Sequence, residues 1–137
     1  MSKAKPTVQK FMSTGVKTID GKKNLKEAVS RMEIEGVRHL PVTLDGEVIG
    51  ILSERDIKSA LGLIGIDPVK TLIVDICKDA VYSVDPDTHL DIVADTMAQE
   101  HYGSAVVMQN NKLVGIITMV DICKALSFII NERFHSQ

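Results

Sequence analysis

Two stretches of this chain place a hydroxyl and a carboxylate three positions apart behind a glycine. They are Gly50-Ile51-Leu52-Ser53-Glu54-Arg55-Asp56 and, 65 positions on, Gly115-Ile116-Ile117-Thr118-Met119-Val120-Asp121. Each ends a β-rich run and opens an amphipathic one, so Ser53 and Thr118 stand where a helix N-cap is expected and Asp56 and Asp121 at the third helical position. A helix start offers free N–H groups and the positive end of its dipole, which is where phosphates settle. An acidic side chain beside it can accept both hydroxyls of a ribose diol, as one does in dinucleotide-binding folds. Helix capping alone asks for the same residue types, so one copy would say little. Two copies at one offset favour a site.

Arg38 and His39 add the other half of a phosphate site. Arginine offers a planar fork of donors and histidine a charge near neutral pH. Surface solvation of Arg38 and a strand-edge place for His39 are the plainer alternatives. No pair among His39, His89, His101 and His135 has metal-ligand spacing, and no metal site is expected. Cys77 and Cys123 lack the spacing of a zinc or redox motif and sit in apolar sequence, so both are expected as buried thiols. Nothing resembles a nucleophile–base pair or a Walker loop, and an enzyme is not expected.

The elements that must carry these residues follow from the duplication. Residues 8 to 61 align with 73 to 126 without a gap, with about a dozen identities that include Val16/Val81, Asp20/Asp85, Leu25/Leu90, Met32/Met97, Val42/Val107 and Asp56-Ile57/Asp121-Ile122. The division expected is repeat one at 8–61, a linker at 62–72, repeat two at 73–126 and a C-terminal helical extension at 127–137. In repeat one a short strand is predicted at Val16 to Ile19. Leu25, Ala28, Val29 and Met32 form the apolar face of a helix that Gly36 ends. His39 to Leu44 and Glu47 to Leu52 form a hairpin about Asp45-Gly46, and a helix then runs from Ser53 to about Leu61. Val69 to Cys77 is expected to form a short helix.

Repeat two retraces this course with a strand at Val81 to Val84, a helix through Leu90, Val93, Ala94 and Met97, and a turn at Asn110-Asn111. Its last helix continues through Ile129-Ile130 to Phe134. The fold class expected is α/β (α+β): two β-α-β-β-α units with small mixed three-stranded sheets, packed as a pseudo-twofold pair. A unit of about 60 residues buries too little surface to stand alone.

Composition bounds the partners. The chain has 137 residues, 45% of them hydrophobic, 16 basic and 18 acidic side chains, and a net charge of −2. That balance argues against nucleic acid. No apolar run is long enough for a membrane span, and no secretion signal follows the basic start, so a cytoplasmic location is expected.

With Gly36-Val37-Arg38-His39-Leu40-Pro41-Val42, the two Gly-x-x-Ser/Thr-x-x-Asp stretches and the ungapped duplication in view, the chain resembles the CBS domain family across about residues 8 to 126. The resemblance implies a tandem pair, a Bateman module, that senses adenosine compounds (AMP, ADP, ATP or S-adenosylmethionine) and needs no cofactor. It also implies homodimerisation and regulation of an unidentified protein. By that resemblance one inter-repeat site joins Val16, Lys17, Thr18, Arg38, His39, Leu40 and Pro41 with Thr118 and Asp121. The other joins Val81, Tyr82, Ser83, Tyr102, Gly103, Ser104 and Ala105 with Ser53 and Asp56. First-strand backbone would meet the adenine edge. The second site lacks the basic pair and would borrow Arg38, His39 or Arg55 for a phosphate. The competing expectation is a structural dimerisation module whose clefts are vestigial, motivated by the apolar C-terminal helix.

Overall fold

The computed structural model describes residues 4–77 and 81–134. The chain forms two compact units, and the division between them does not follow the repeats. Residues Lys17–Val81 make one unit; Met1–Val16 and Tyr82–Gln137 make the other. The chain opens with a short helix, α1 (Val8–Phe11), that belongs to the second of these.

In the Lys17–Val81 unit, β1 (Ile19–Asp20) leads to α2 (Leu25–Glu35), then β2 (His39–Leu44), β3 (Glu47–Ser53), α3 (Glu54–Leu61) and α4 (Ile73–Ile76). The sheet order is β1-β2-β3, with β1 parallel to β2 and β2 antiparallel to β3. Local chemistry sets the ends of α2. Asn24 accepts a hydrogen bond from the Glu27 amide at the N-terminus, and Gly36 takes the left-handed conformation (φ 65°) that closes the C-terminus. The hairpin turns through Asp45 (φ 52°) and Gly46 (φ 84°), the two positive angles a tight β-hairpin needs. Leu25, Ala28 and Met32 of α2 bury against Leu40, Val42 and Leu52 of the sheet, with Ile57 and Ala60 of α3 and Ile73 of α4.

The other unit repeats this plan with β4 (Ser83–Val84), α5 (Leu90–Glu100), β5 (Ser104–Gln109), β6 (Lys112–Thr118) and α6 (Met119–Phe134), in the sheet order β4-β5-β6. Asn110 and Asn111 (φ 52° and 62°) make its hairpin turn. His101 (φ 59°) closes α5 where α2 uses Gly36.

Each unit is completed by the segment that opens the other repeat in sequence. Val8, fully buried, joins the core of Val84, Leu90, Val93, Met97 and Ile117. Its amide donates to the Thr88 carbonyl at 2.9 Å, and the Leu90 amide to the Pro6 carbonyl at 2.9 Å. Ser13 then bridges β6 through a reciprocal pair with Ile116 (2.9 and 3.0 Å). Gly115 has no side chain because this segment crosses it: a Cβ there would stand 2.9 Å from Met12 Cγ and 3.1 Å from the Ser13 carbonyl oxygen. In the Lys17–Val81 unit α4 plays the same part, with Ile73 and Val74 amides donating to Lys23 and Gly21 carbonyls. Val8 and Ile73 are equivalent under the 65-residue offset.

Several expectations change. The first strands are two residues each rather than four, because only Ile19–Asp20 and Ser83–Val84 find a parallel partner. Of Val69 to Cys77 only Ile73–Ile76 is helical. Cys123 is exposed and Cys77 half-buried, so neither is the buried thiol expected. On α6 it is Ala125 that faces the core, and Cys123 lies off that stripe.

Candidate functional site

In both units the end of the hairpin and the start of the next helix are built as one piece. Ser53 holds extended dihedrals (φ −104°, ψ 159°) as the N-cap of α3. Its Oγ accepts from the Asp56 amide at 3.0 Å, and Asp56 Oδ2 accepts from the Ser53 amide at 3.0 Å. This reciprocal capping box satisfies two amides that the helix cannot. Thr118 and Asp121 do the same: Asp121 Oδ2 accepts from the Thr118 amide (2.9 Å) and from Thr118 Oγ1 (3.1 Å), while Thr118 Oγ1 accepts from the Asp121 amide (3.3 Å). The capping reading is therefore structurally true. It leaves the ligand reading open, because a carboxylate has about four acceptor positions.

Strand register brings further candidates to each junction. His39 pairs with Ser53, and the Glu54 amide donates to the Arg38 carbonyl at 2.8 Å. Arg38 and His39 thus flank Ser53 and Asp56 within one unit. Arg38 and Arg55 are exposed and His39 is half-buried. Glu54, ion-paired with Lys58 at 3.1 Å, has its carboxyl held below the usual range chiefly by the hydrogen bond from Lys58, with a smaller contribution from the charge of Arg38. Lys17 is exposed and Thr18 half-buried, and the Thr18 carbonyl accepts from Arg31 Nη1 at 2.9 Å. Leu40 and Pro41 are buried, so they offer backbone rather than side chain.

In the other unit Ser104 pairs with Thr118, and the Met119 amide donates to the Gly103 carbonyl at 3.1 Å. The Tyr82 and Tyr102 rings lie 5.4 Å apart, tilted by 31°. The Tyr82 carbonyl accepts from the Val106 amide, which leads into the β4 pairing of Ser83 with Val106. Ala105 is fully buried, and Val16 and Val81 are half-buried. Met119 and Val120 are exposed where the other unit has Glu54 and Arg55.

The residues thus gather as Arg38, His39, Ser53 and Asp56 in one unit, and as Tyr82, Tyr102, Gly103, Ser104, Thr118 and Asp121 in the other. Two participants were missed from sequence. Ser13 donates its hydroxyl to Asp121 Oδ1 at 3.3 Å from 108 positions away, and no local pattern could have shown it. Arg31 lies on the charged face of α2, where its type alone did not separate it from Lys26 or Glu33. Among the described residues no three His, Cys, Asp or Glu side chains gather as metal ligands, and His135 lies outside those residues.

Comparison with known proteins agrees with this plan. The CBS domain family model matches residues 8–63 and 73–128. The CBS domain-containing protein YhcV of Bacillus subtilis is 30% identical over 126 residues, covering 92% of this chain and 88% of its own. The CBS domain pair of protein MJ0100, solved in complex with 5′-methylthioadenosine and S-adenosyl-L-methionine, has a TM-score of 0.83 at 24% identity over 92% of this chain and 99% of its own. A hexameric CBS-CP12 protein from bloom-forming cyanobacteria has a TM-score of 0.81 at 30% identity, covering 91% and 70%. With both repeats matched over most of its length, this chain belongs to the CBS domain family as a tandem pair.

Proposed function

We propose that the protein is a regulatory module that binds adenosine compounds and performs no catalysis of its own. The observation that carries this is the duplicated junction, in which a hydroxyl and a carboxylate recur at a helix start at Ser53/Asp56 and Thr118/Asp121, with Arg38 and His39 flanking the first. A phosphate would engage the helix start and the guanidinium. A ribose diol would engage the carboxylate; at Asp121 it would take over the place that the Ser13 hydroxyl holds. The complex of the MJ0100 pair supports the adenosine class. The test is a thermal melt with AMP, ATP and S-adenosylmethionine. A ligand at 100 times its dissociation constant adds about 2.7 kcal/mol, a shift of several degrees for a chain this size. Unchanged melting with every adenosine compound would overturn the reading.

A structural dimerisation role is favoured by a separate observation. One face of α6 carries exposed Leu126, Ile129, Ile130 and Phe134, and beside it a largely apolar groove is lined by Pro6, Leu90, Ala94, Ile122, Ala125, Leu126 and Ile129, with Lys5 and Asp91 also lining it. Exposed apolar side chains gathered on one helix face favour a contact site. In this proposal the protein is a homodimer through that face, and a light-scattering mass of 15.0 kDa rather than twice that would overturn it.

A further inference from the structure

Each unit opens its sheet with a short parallel strand, but the two strands are not held alike. In the unit that contains Tyr82, the Tyr82 carbonyl accepts from the Val106 amide at 2.9 Å, and the β4 pairing begins at once with Ser83 against Val106. Under the 65-residue offset Tyr82 answers to Lys17 and Val106 to Pro41. Proline has no N–H to give, so this ladder bond has no counterpart in the Lys17–Val81 unit. The β1 pairing accordingly begins one place later, with Ile19 against Val42. Lys17 and Thr18 run ahead of it as irregular chain.

Arg31 supplies a hold of a different kind. From α2 its Nη1 reaches across 13 positions and donates to the Thr18 carbonyl at 2.9 Å, in a partly buried contact. No ion pair competes for the guanidinium among the described residues, and Glu27, one turn back on the helix, pairs with Lys23 at 3.3 Å instead. At the equivalent place on α5 stands Thr96, which has no guanidinium to offer. The unit that lacks the strand amide is thus the one that carries the arginine, and a bond from a charged donor is the stronger kind. Resting on the reading of the protein as an adenosine-compound sensor in which Lys17 and Thr18 present backbone to the adenine edge, we infer that Arg31 is a positioning residue. It holds the Lys17–Thr18 backbone in the conformation that meets the ligand, in place of the bond that Pro41 cannot make. A backbone without this hold samples other conformations, and apparent affinity falls with the fraction that remains competent.

Calorimetric titration of the full chain with AMP, ATP and S-adenosylmethionine tests this. Arg31→Ala should weaken whichever of the three the unaltered protein binds about three- to tenfold, the worth of one hydrogen bond from a charged donor. Thr96→Ala, at the equivalent place on α5, should change it by less than about twofold, within the scatter of a site away from such features. Pro41→Val restores the amide that Val106 carries. In that background the Arg31→Ala penalty should shrink to less than about twofold, a coupling that a double-mutant cycle isolates. An arginine that only stabilised the fold would lower the urea midpoint in both backgrounds and leave affinity alone. Affinity unchanged by Arg31→Ala, an equal loss from Thr96→Ala, or the same Arg31→Ala penalty with and without Pro41→Val would overturn the inference and leave the adenosine reading standing. Binding of none of the three compounds by the unaltered protein would overturn both.

Discussion

Replacing Asp121 with alanine separates the capping role of its carboxylate from its role toward a ligand. The substitution removes three acceptor contacts: from the Thr118 amide at 2.9 Å, from Thr118 Oγ1 at 3.1 Å and from Ser13 Oγ at 3.3 Å. The amide matters most, since it is one of the helix's orphan donors and loses its side-chain partner; loss of such a box costs about 1 kcal/mol. The two hydroxyls lie at half-exposed or exposed positions and turn to water, so each adds only a few tenths. The ligand-free protein should thus lose about 1–2 kcal/mol, seen as a lower urea midpoint with unchanged slope and a melting point lower by about 4–8 °C. Under the proposed function the same variant should also lose the stabilisation that a saturating adenosine compound gives through this carboxylate, up to about 2.7 kcal/mol at 100 times the dissociation constant. Asp121→Asn, which keeps one acceptor oxygen, should recover part of the first loss and little of the second. Unchanged ligand-free stability would refute the capping argument. An equal ligand increment in Asp121→Ala and the unaltered protein would refute the ribose role.

Three further outcomes are expected. Gly115→Ala sets a Cβ 2.9 Å from Met12 Cγ and 3.1 Å from the Ser13 carbonyl oxygen; it should cost about 1–3 kcal/mol by overpacking and speed proteolysis near residue 13, and Met12→Ala in the same chain should relieve part of that cost in a double-mutant cycle. The exposed Lys5–Asp91 pair at 2.8 Å ties down the N-terminal segment. Its hydrogen bond holds the Asp91 carboxyl below, and the Lys5 ammonium above, their ordinary values. The Asp91 contribution is therefore present above its ordinary value of 3.8 and lost as pH falls through the lowered one; the Lys5 contribution is full below 10.5 and lost as pH rises through the raised one. Amide exchange of Val8 should accordingly quicken as pH falls through the lowered Asp91 value, below 3.8, and in about 1 M salt at neutral pH by screening, and Asp91→Asn should abolish both responses. Leu126→Glu with Ile130→Glu, placed on the exposed α6 face, should reduce a dimeric mass to 15.0 kDa without lowering the melting point of the subunit.

The features legible in sequence were those written over short spans. Gly36 at the end of α2, Asp45-Gly46 and Asn110-Asn111 in the hairpins, and Ser53 with Asp56 as a capping box all carry their conformational cause within a few residues. The first strands were overextended because Val16 to Thr18 has strand-like residues and no partner strand, and pairing is a property of the neighbour. Cys123 was misplaced because apolar sequence around a residue does not say which side of a helix meets a core.

By itself, then, the sequence determined the family, the duplication, the helix and hairpin ends, and the residue types available at the two junctions, since periodicity, turn chemistry and capping act over a few positions and survive any tertiary arrangement. Tertiary structure alone decided that residues 5 to 13 complete the unit of the other repeat, that Gly115 must lack a side chain, that Ser13 reaches Asp121, and that Ser104 is buried across from Thr118. Each of these depends on contacts between segments about a hundred positions apart or on what a buried group finds across a strand, and no local pattern encodes the far side of such a contact.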